Sequence, residues 1–246
     1  MNCIVLLLTE SNYVNVQKLY NDISKAELQD FDIIVFDHQG SSQSDIPTIH
    51  FSPHDIPDKF VTNMINPKGP WDYFPIWAHE NKYEYYWVIE DLVYYSGNWT
   101  DIFNKYVNIE CDLLTNTEFH DFEWNWWNKP RNVYGKSESG YPYDSFIYPT
   151  AFLPFSRFSR QLIEKGHHYL DSGHKAFIEI FWPTICLKES LSVMSWDSTD
   201  IGDFSWKPSG QYVKPTQKNK LWYPKKIVVI QFKQPTLNQF LKNKKV

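Results

Sequence analysis

What most constrains the fold of this chain is the alternation of short, continuous apolar runs with amphipathic stretches. Cys3-Ile4-Val5-Leu6-Leu7-Leu8 is an unbroken apolar run of strand length. Between Tyr13 and Leu28, by contrast, Val16, Leu19, Tyr20 and Ile23 fall at helical spacing, and Phe31-Asp32-Ile33-Ile34-Val35-Phe36 is again continuous. The order strand, helix, strand follows from that change of period.

The pattern repeats downstream. Asp37-His38-Gln39-Gly40-Ser41-Ser42 has turn chemistry, Pro47 to Phe51 reads as a short third strand, and a proline-punctuated loop follows as far as Pro70. Trp71 to Asn81 reads as a helix with proline at its start, and Tyr85 to Ile89 as the central buried strand, ending at Glu90 and Asp91. Further on, Asn98–Val107, Arg157–Leu170 and Ala176–Glu189 read as helices, and Cys111–Thr115 and Ile227–Phe232 as strands. Trp196 to Lys220 is polar and irregular, and is expected to be a mobile loop that could close over a substrate. Such alternation predicts an α/β fold, a mostly parallel central sheet flanked by helices, and 246 residues suit one domain.

Composition narrows the function. A net charge of -5 argues against a nucleic-acid binder, whose affinity comes from clustered Lys and Arg. Cys3, Cys111 and Cys186 are far apart and odd in number, which predicts neither a disulfide framework nor a zinc site and suits a cytoplasmic protein. Adjacent His167 and His168 point apart on a helix and, with His174, complete no recognised metal pattern. Aromatic residues make up 18% of the chain, enough to serve both core packing and stacking on sugar rings.

In an open α/β sheet the ligand crevice lies beyond the carboxyl ends of the strands. Thr9, Glu10, Asp37, Glu90 and Asp91 therefore converge if the strands are read correctly. Neither GxGxxG nor a Walker loop is present, so the acidic strand ends point to a polar ligand other than a dinucleotide or a P-loop nucleotide. Lys68-Gly69 before a helix is a weaker phosphate candidate.

The segment Tyr85-Tyr86-Trp87-Val88-Ile89-Glu90-Asp91-Leu92-Val93-Tyr94-Tyr95-Ser96-Gly97-Asn98-Trp99 resembles the WVIEDDV...SGNW-like acidic motif of a group of GT-A glycosyltransferases found in viruses, microbes and fungi. The resemblance extends more loosely to Phe152–Ser159, Glu179–Thr184 and Leu221–Lys226, in the family's order. It implies a single GT-A type, Rossmann-like domain over residues 1–246, with a nucleotide-sugar-binding half to about residue 110 and an acceptor-binding half from about 111. It also implies transfer of a sugar from a nucleotide donor to a glycan or other hydroxyl acceptor.

The resemblance implies that the acidic strand end Glu90-Asp91 holds ribose, diphosphate or a divalent ion; the strand-end reading adds Thr9, Glu10 and Asp37 as donor contacts, with Asp72 either binding ribose or pairing locally. Acidic residues at i and i+2 of an extended segment could present oxygens to a manganese or magnesium ion. Here Leu92 takes the second position, and Tyr223 stands where the family pattern often has a metal-binding histidine, so a weak or dispensable metal is expected. Lys207, Lys214, Lys225 or Lys226 would then neutralise the leaving phosphate. An inverting reaction needs a carboxylate base, and Glu179, beside the matched Pro183-Thr184, is the candidate, with Asp144 a rival base or acceptor ligand. Trp124, Trp126 and Trp127 suit an acceptor platform.

The lysine-bearing tail, Lys226 to Lys245, suggests peripheral contact with an anionic membrane as a lesser reading. The leading alternative function is a non-catalytic carbohydrate-binding or assembly protein on the same fold. A nucleotidyltransferase ranks lower, for want of a glycine-rich basic loop near the first strand.

Overall fold

Continuous apolar strands suit a parallel sheet covered on both faces. In the computed structural model, which describes residues 1–7, 13–26, 28–38, 40, 45–62, 67–120, 148–174, 176–204 and 215–223, the chain builds such a sheet. Strands β1 (Asn2–Leu7), β2 (Phe31–Asp37), β3 (Thr48–His50) and β4 (Tyr85–Glu90) lie parallel in the order β3-β2-β1-β4. The next strand in the chain, β5 (Tyr94–Tyr95), belongs to a separate three-stranded sheet. The main sheet continues through β7 (Tyr148–Ser159), antiparallel to β4, and then β6 (Leu113–His120) and β8 (Val193–Ser195), which run with β4 again. Only β7 is reversed among these seven, so the sheet is mostly parallel, as expected.

Period-two alternation assigns the two faces. Cys3, Val5 and Leu7 of β1 enter one core with Tyr86 and Val88 of β4. Residues of helix α2 (Pro70–Glu80) and of two later helices pack into that core, together with Phe36, Phe51, Phe60 and Phe158. Ile4 and Leu6 enter the opposite core with Trp87 and Ile89, against α1 (Tyr13–Ser24) and α3 (Trp99–Tyr106). Cys3 to Leu7 are all fully buried, and each large aliphatic side chain among them contributes about 1.5–3 kcal/mol of burial. The three cysteines are free and buried. Among the described residues no helix is long and apolar enough to cross a membrane.

Several boundaries differ from expectation for identifiable reasons. α1 stops at Ser24 rather than Leu28, and the chain turns through Asp30 at φ 61° into β2. Residues 157–159 are strand, not helix: β7 runs to Ser159, whose side chain caps α4 (Arg160–Asp171) by accepting from Leu162 N at 3.1 Å. Pro154 disguises β7, because proline breaks a strand pattern unless it sits at an edge or bulge. A bulge is what the pairing shows: Leu114 pairs with Arg157 but Asn116 with Phe152. Thr115 Oγ1 donates to Phe152 O at 2.9 Å and Ser156 Oγ to Leu153 O at 2.9 Å, so buried hydroxyls satisfy carbonyls the irregular ladder leaves over. Within the supposed irregular stretch 196–220, Ile201–Phe204 forms strand β9. The expected strand Ile227–Phe232 lies outside the described residues.

The last helix, α5 (Ile178–Glu189), packs against β7 and α4. Gly166 of α4 is required there: a Cβ on it would lie 2.2 Å from Cζ3 of Trp182. Arg157 is fully buried on the other face, and among the described residues no carboxylate pairs with it. It donates to the carbonyls of Tyr106 (2.6 Å), Val107 (3.4 Å) and Ile109, closing the C-terminal end of α3, and lies over the rings of Tyr85 and Trp87 at 4.3 and 5.4 Å.

Between α2 and α4 the rings of His79 and His167 stack at 3.9 Å. Burial first, and then the neighbouring His79, hold the His167 pKa below its ordinary value; burial does the same for His38, partly offset by Asp37. The unfolded chain therefore takes up protons more readily than the native one as pH falls past the ordinary histidine range. Stability contributed by these neutral rings is full above about pH 6.5 and declines below it as pH approaches the folded values. Thermal melts between about pH 7.5 and 5 are expected to show a falling Tm, with His167→Phe flattening the slope. An unchanged slope in that variant would contradict the assignment.

Candidate functional site

The strand order gives the location. From β1 the chain adds β2 and β3 on one side, and then β4 on the other, so the direction of winding reverses between β1 and β4. Crevices for ligands open at such switch points. Here Leu7 pairs with Glu90, and Asp91 N continues the pairing by donating to Leu7 O at 3.0 Å. The chain then turns, with Val93 N donating to Glu90 O at 2.9 Å.

Glu90, Asp91 and Leu92 are all buried, and the Glu90 carboxylate is gripped from two directions. The indole Nε1–H of Trp71, in the first turn of α2, donates to Oε1 at 2.7 Å, and the Tyr223 hydroxyl donates to Oε2 at 2.7 Å. Even-numbered β4 residues face the α2 side, which is why Trp71 can reach Glu90. Trp71 was not singled out in the sequence; its signal was an indole one residue after the helix-starting Pro70.

Tyr223 arrives from a distant part of the chain on β10 (Leu221–Tyr223), the middle strand of a three-stranded sheet ordered β5-β10-β9. The Ser-Gly-Asn-Trp element explains how it is held. Ser96 N donates to Lys220 O at 3.0 Å, while its hydroxyl accepts from Lys220 N at 3.0 Å and donates to Gln217 O at 2.7 Å. Gly97 lets Asn219 approach, since a Cβ there would lie 2.6 Å from Asn219 Oδ1. Asn98 caps α3 by accepting from Thr100 N at 3.0 Å, and Trp99 is buried. The motif thus fastens the strand carrying Tyr223 to the strand end carrying Glu90.

Gly202 of β9 makes a second close approach, with Trp222 Cε2 2.7 Å from where its Cβ would be. Gly202→Ala is expected to displace the indole beside Tyr223 and cost about 1–3 kcal/mol by overpacking. A thermal melt together with tryptophan emission checks this; a variant identical to the parent in both would refute the close approach.

Burial, the charge of Glu90 and the bond to it, and the charges of Asp91 and Glu179 raise the Tyr223 pKa well above the ordinary tyrosine value. The phenol therefore remains a donor at neutral pH, and Glu179 lies within electrostatic reach of it. Glu179 is half-buried in the first turn of α5, where Pro183 lacks the N–H that would bond its carbonyl. Phe152 and Phe204 pack against the Tyr223 ring at 5.3 and 6.1 Å.

The other candidates are placed differently. Asp72 is fully buried and fastens the preceding loop, accepting from Thr62 N (2.7 Å), Thr62 Oγ1 (3.0 Å) and Lys68 N (2.7 Å). Those bonds correspond to the local-pairing reading of Asp72. Lys68 Nζ lies 2.8 Å from Asp58 Oδ1. Asp37, also fully buried, accepts from Gly40 N at 3.1 Å at the end of β2, two strand spacings or roughly 10 Å from Glu90. Thr9, Glu10, Trp124, Trp126, Trp127, Asp144, Lys207, Lys214, Lys225, Lys226 and the rest of the tail lie outside the described residues.

Among the described residues no group of three or more His, Cys, Asp or Glu side chains is arranged to hold a metal ion. A cavity of about 620 Å³ lies at the opposite, N-terminal end of the sheet, lined by Asn2, Tyr85, Glu110 and Asp112 among others. It is remote from the switch point.

No family model matches the chain, and no curated protein sequence matches it. Solved structures that resemble it include mouse xyloside xylosyltransferase 1 in its apo form, at 9% identity and a TM-score of 0.47, covering 90% of this chain and 97% of that one. The galactosyltransferase LgtC with donor and acceptor sugar analogs matches at 10% identity and a TM-score of 0.43, covering 80% and 74%. A Bacillus anthracis protein described provisionally as a glucose-1-phosphate thymidylyltransferase, with sucrose bound, matches at 9% and 0.45, covering 80% and 87%. Likeness at this level carries no argument about the reaction.

Proposed function

We propose that the chain is a nucleotide-sugar-dependent glycosyltransferase of the GT-A type, acting on a glycan or other hydroxyl acceptor. The observation that carries this reading is the buried Glu90-Asp91 strand end at the β1/β4 switch point, with Tyr223 hydrogen-bonded to Glu90. In this reading residues 1–110 bind the donor, with Glu90 and Asp91 orienting it, and residues from 111 onward bind the acceptor. Asp37 and Asp72 shape the donor side by holding the turns around it.

Glu179 takes the proton from the acceptor hydroxyl as its oxygen attacks the anomeric carbon. A new C–O bond forms, the bond to the nucleoside diphosphate breaks with its electron pair, and the configuration inverts. Glu179 is offered for this role by its half-buried place in the first turn of α5.

The test is Glu179→Gln. Transfer is expected to fall by about 10²–10⁴-fold, as for loss of a general base, with donor-induced thermal stabilisation retained. A variant that transfers at the parental rate removes Glu179 from this role. A second reading, a non-catalytic carbohydrate-binding protein, draws support from the engagement of both Glu90 oxygens within the chain. It predicts sugar binding with neither transfer nor donor hydrolysis.

A further inference from the structure

We propose that the cavity of about 620 Å³ at the N-terminal end of the sheet is a second ligand site, suited to a neutral, hydroxyl-rich molecule of mono- or disaccharide size. The proposal does not rest on the glycosyltransferase reading, because the cavity lies at the end of the strands opposite to Glu90.

Its place follows from the sheet register. Asn2, the first residue of β1, pairs with Tyr85, the first of β4, and both line the cavity. By the same alternation that sends Ile4 and Leu6 under α1 and α3, Asn2 faces that side of the sheet. Residues 107–112, which join α3 to β6, form another wall. Asp112 fastens this wall: its Oδ1 accepts from Ser159 Oγ at 2.7 Å, and its Oδ2 accepts from Ser192 N at 2.9 Å and Ser192 Oγ at 2.8 Å. The volume falls within the range of small-molecule sites, about 300–1,000 Å³.

The Asn2 side chain is the observation that points to a ligand. It is nine-tenths buried, and among the described residues its Oδ1 has no hydrogen-bond partner. A buried amide oxygen left in that state is costly. A half-turn of the amide exchanges Oδ1 and Nδ2, so the group can meet a hydroxyl as acceptor or as donor.

The rest of the lining sets the chemistry. No lysine, arginine or histidine is among the described residues that line the cavity, which leaves no cation to hold a phosphate or carboxylate. Glu84, Glu110 and Asp112 supply acceptor oxygens, yet among the described residues no three acidic groups are arranged around one metal ion. An oligoamine would meet the charge of Arg157 behind the wall, whose guanidinium bonds only to the carbonyls of Tyr106, Val107 and Ile109 and, at 3.3 Å, to Cys111 Sγ. Both signs of charge reach Tyr85: burial raises its pKa most, Arg157 lowers it, and Glu84 and Glu110 raise it. What the cavity offers is a spread of amide, hydroxyl and carboxylate groups on Asn2, Asn108, Tyr85, Ser192 and Glu110. Such a set matches separated hydroxyls, each of which both donates and accepts.

The experiment is an NMR titration of the 15N-labelled full chain, without nucleotide or metal, with glucose, galactose, mannose, xylose, N-acetylglucosamine, maltose and lactose in turn, and with spermidine as the cationic rival. At least one sugar is expected to shift the amide signals of Asn2 and of residues 107–112 saturably, leaving those of Glu90 and Asp91 in place. Asn108→Ala and Glu110→Ala, both at exposed positions, are expected to weaken that binding about tenfold without lowering the melting temperature, and Asn2→Leu to weaken it further. Should Asn2→Leu misfold, the two exposed variants decide. No saturable shift with any sugar, shifts confined to Glu90 and Asp91, a response to spermidine alone, or binding unaltered in the folded variants would each overturn the proposal. Because no nucleotide sugar is present, failure of the transferase reading leaves this result unaffected.

Discussion

Arg157→Met is expected to destabilise the fold by about 3–5 kcal/mol, since each buried carbonyl left without its donor costs about 1–3 kcal/mol and packing over two rings is lost as well. Methionine fills part of the volume but supplies no donors. The carbonyls of Tyr106 and Ile109 would then lose their partner at the end of α3, where the last helical carbonyls already lack intrahelical bonds. Contacts over Tyr85 and Trp87 would be lost as well. For a chain of this size the loss corresponds to a fall in Tm on the order of 10 °C. Arg157→Lys should recover little, because one ammonium cannot reproduce the fork that spans these acceptors. Denaturant and thermal melts check this; Arg157→Met melting within about 2 °C of the parent would refute the role given to the guanidinium.

Glu90→Gln is expected to leave the fold standing but to weaken donor binding and transfer by about 10²-fold, equivalent to roughly 2–3 kcal/mol. The amide oxygen can still accept from Trp71, which leaves the NH2 group facing the Tyr223 hydroxyl. Two groups that were donor and acceptor become two donors unless the hydroxyl turns, and the negative charge at the strand end is gone. Donor-dependent thermal shift and kcat/KM, read beside the melting point of the protein alone, separate loss of binding from unfolding. Parental kcat/KM would remove Glu90 from the donor site.

The parallel half of the sheet was legible because its strands are continuous apolar runs bounded by turn residues, as in Cys3–Leu8 and Phe31–Phe36. Helix α3 was legible as the stretch Asn98–Val107; the structure gives Trp99–Tyr106, with Asn98 as its cap. β7 was not, since Pro149, Pro154 and Arg157 break its pattern; the bulge accommodates Pro154, and burial against carbonyls and rings accommodates the guanidinium. β5, β9 and β10 were too short to show a period, being two, four and three residues long. In the candidate site, Glu90 and Asp91 could be placed from the strand end alone. Tyr223 could be noticed only as a departure from a pattern, because the bond that gives it a position spans a sequence separation of 133 residues. Trp71 was hidden for a related reason: a tryptophan in an aromatic-rich helix reads as core, and its indole N–H shows a role only once its acceptor is located.

Thermal melts of the full chain with UDP-, GDP-, CMP- and dTDP-sugars test the central claim, since a ligand that binds the native state raises its apparent stability. One donor class is predicted to raise Tm by several degrees in the parent and far less in Glu90→Gln. No shift with any donor, or an equal shift in both proteins, would contradict a donor site at the end of β4.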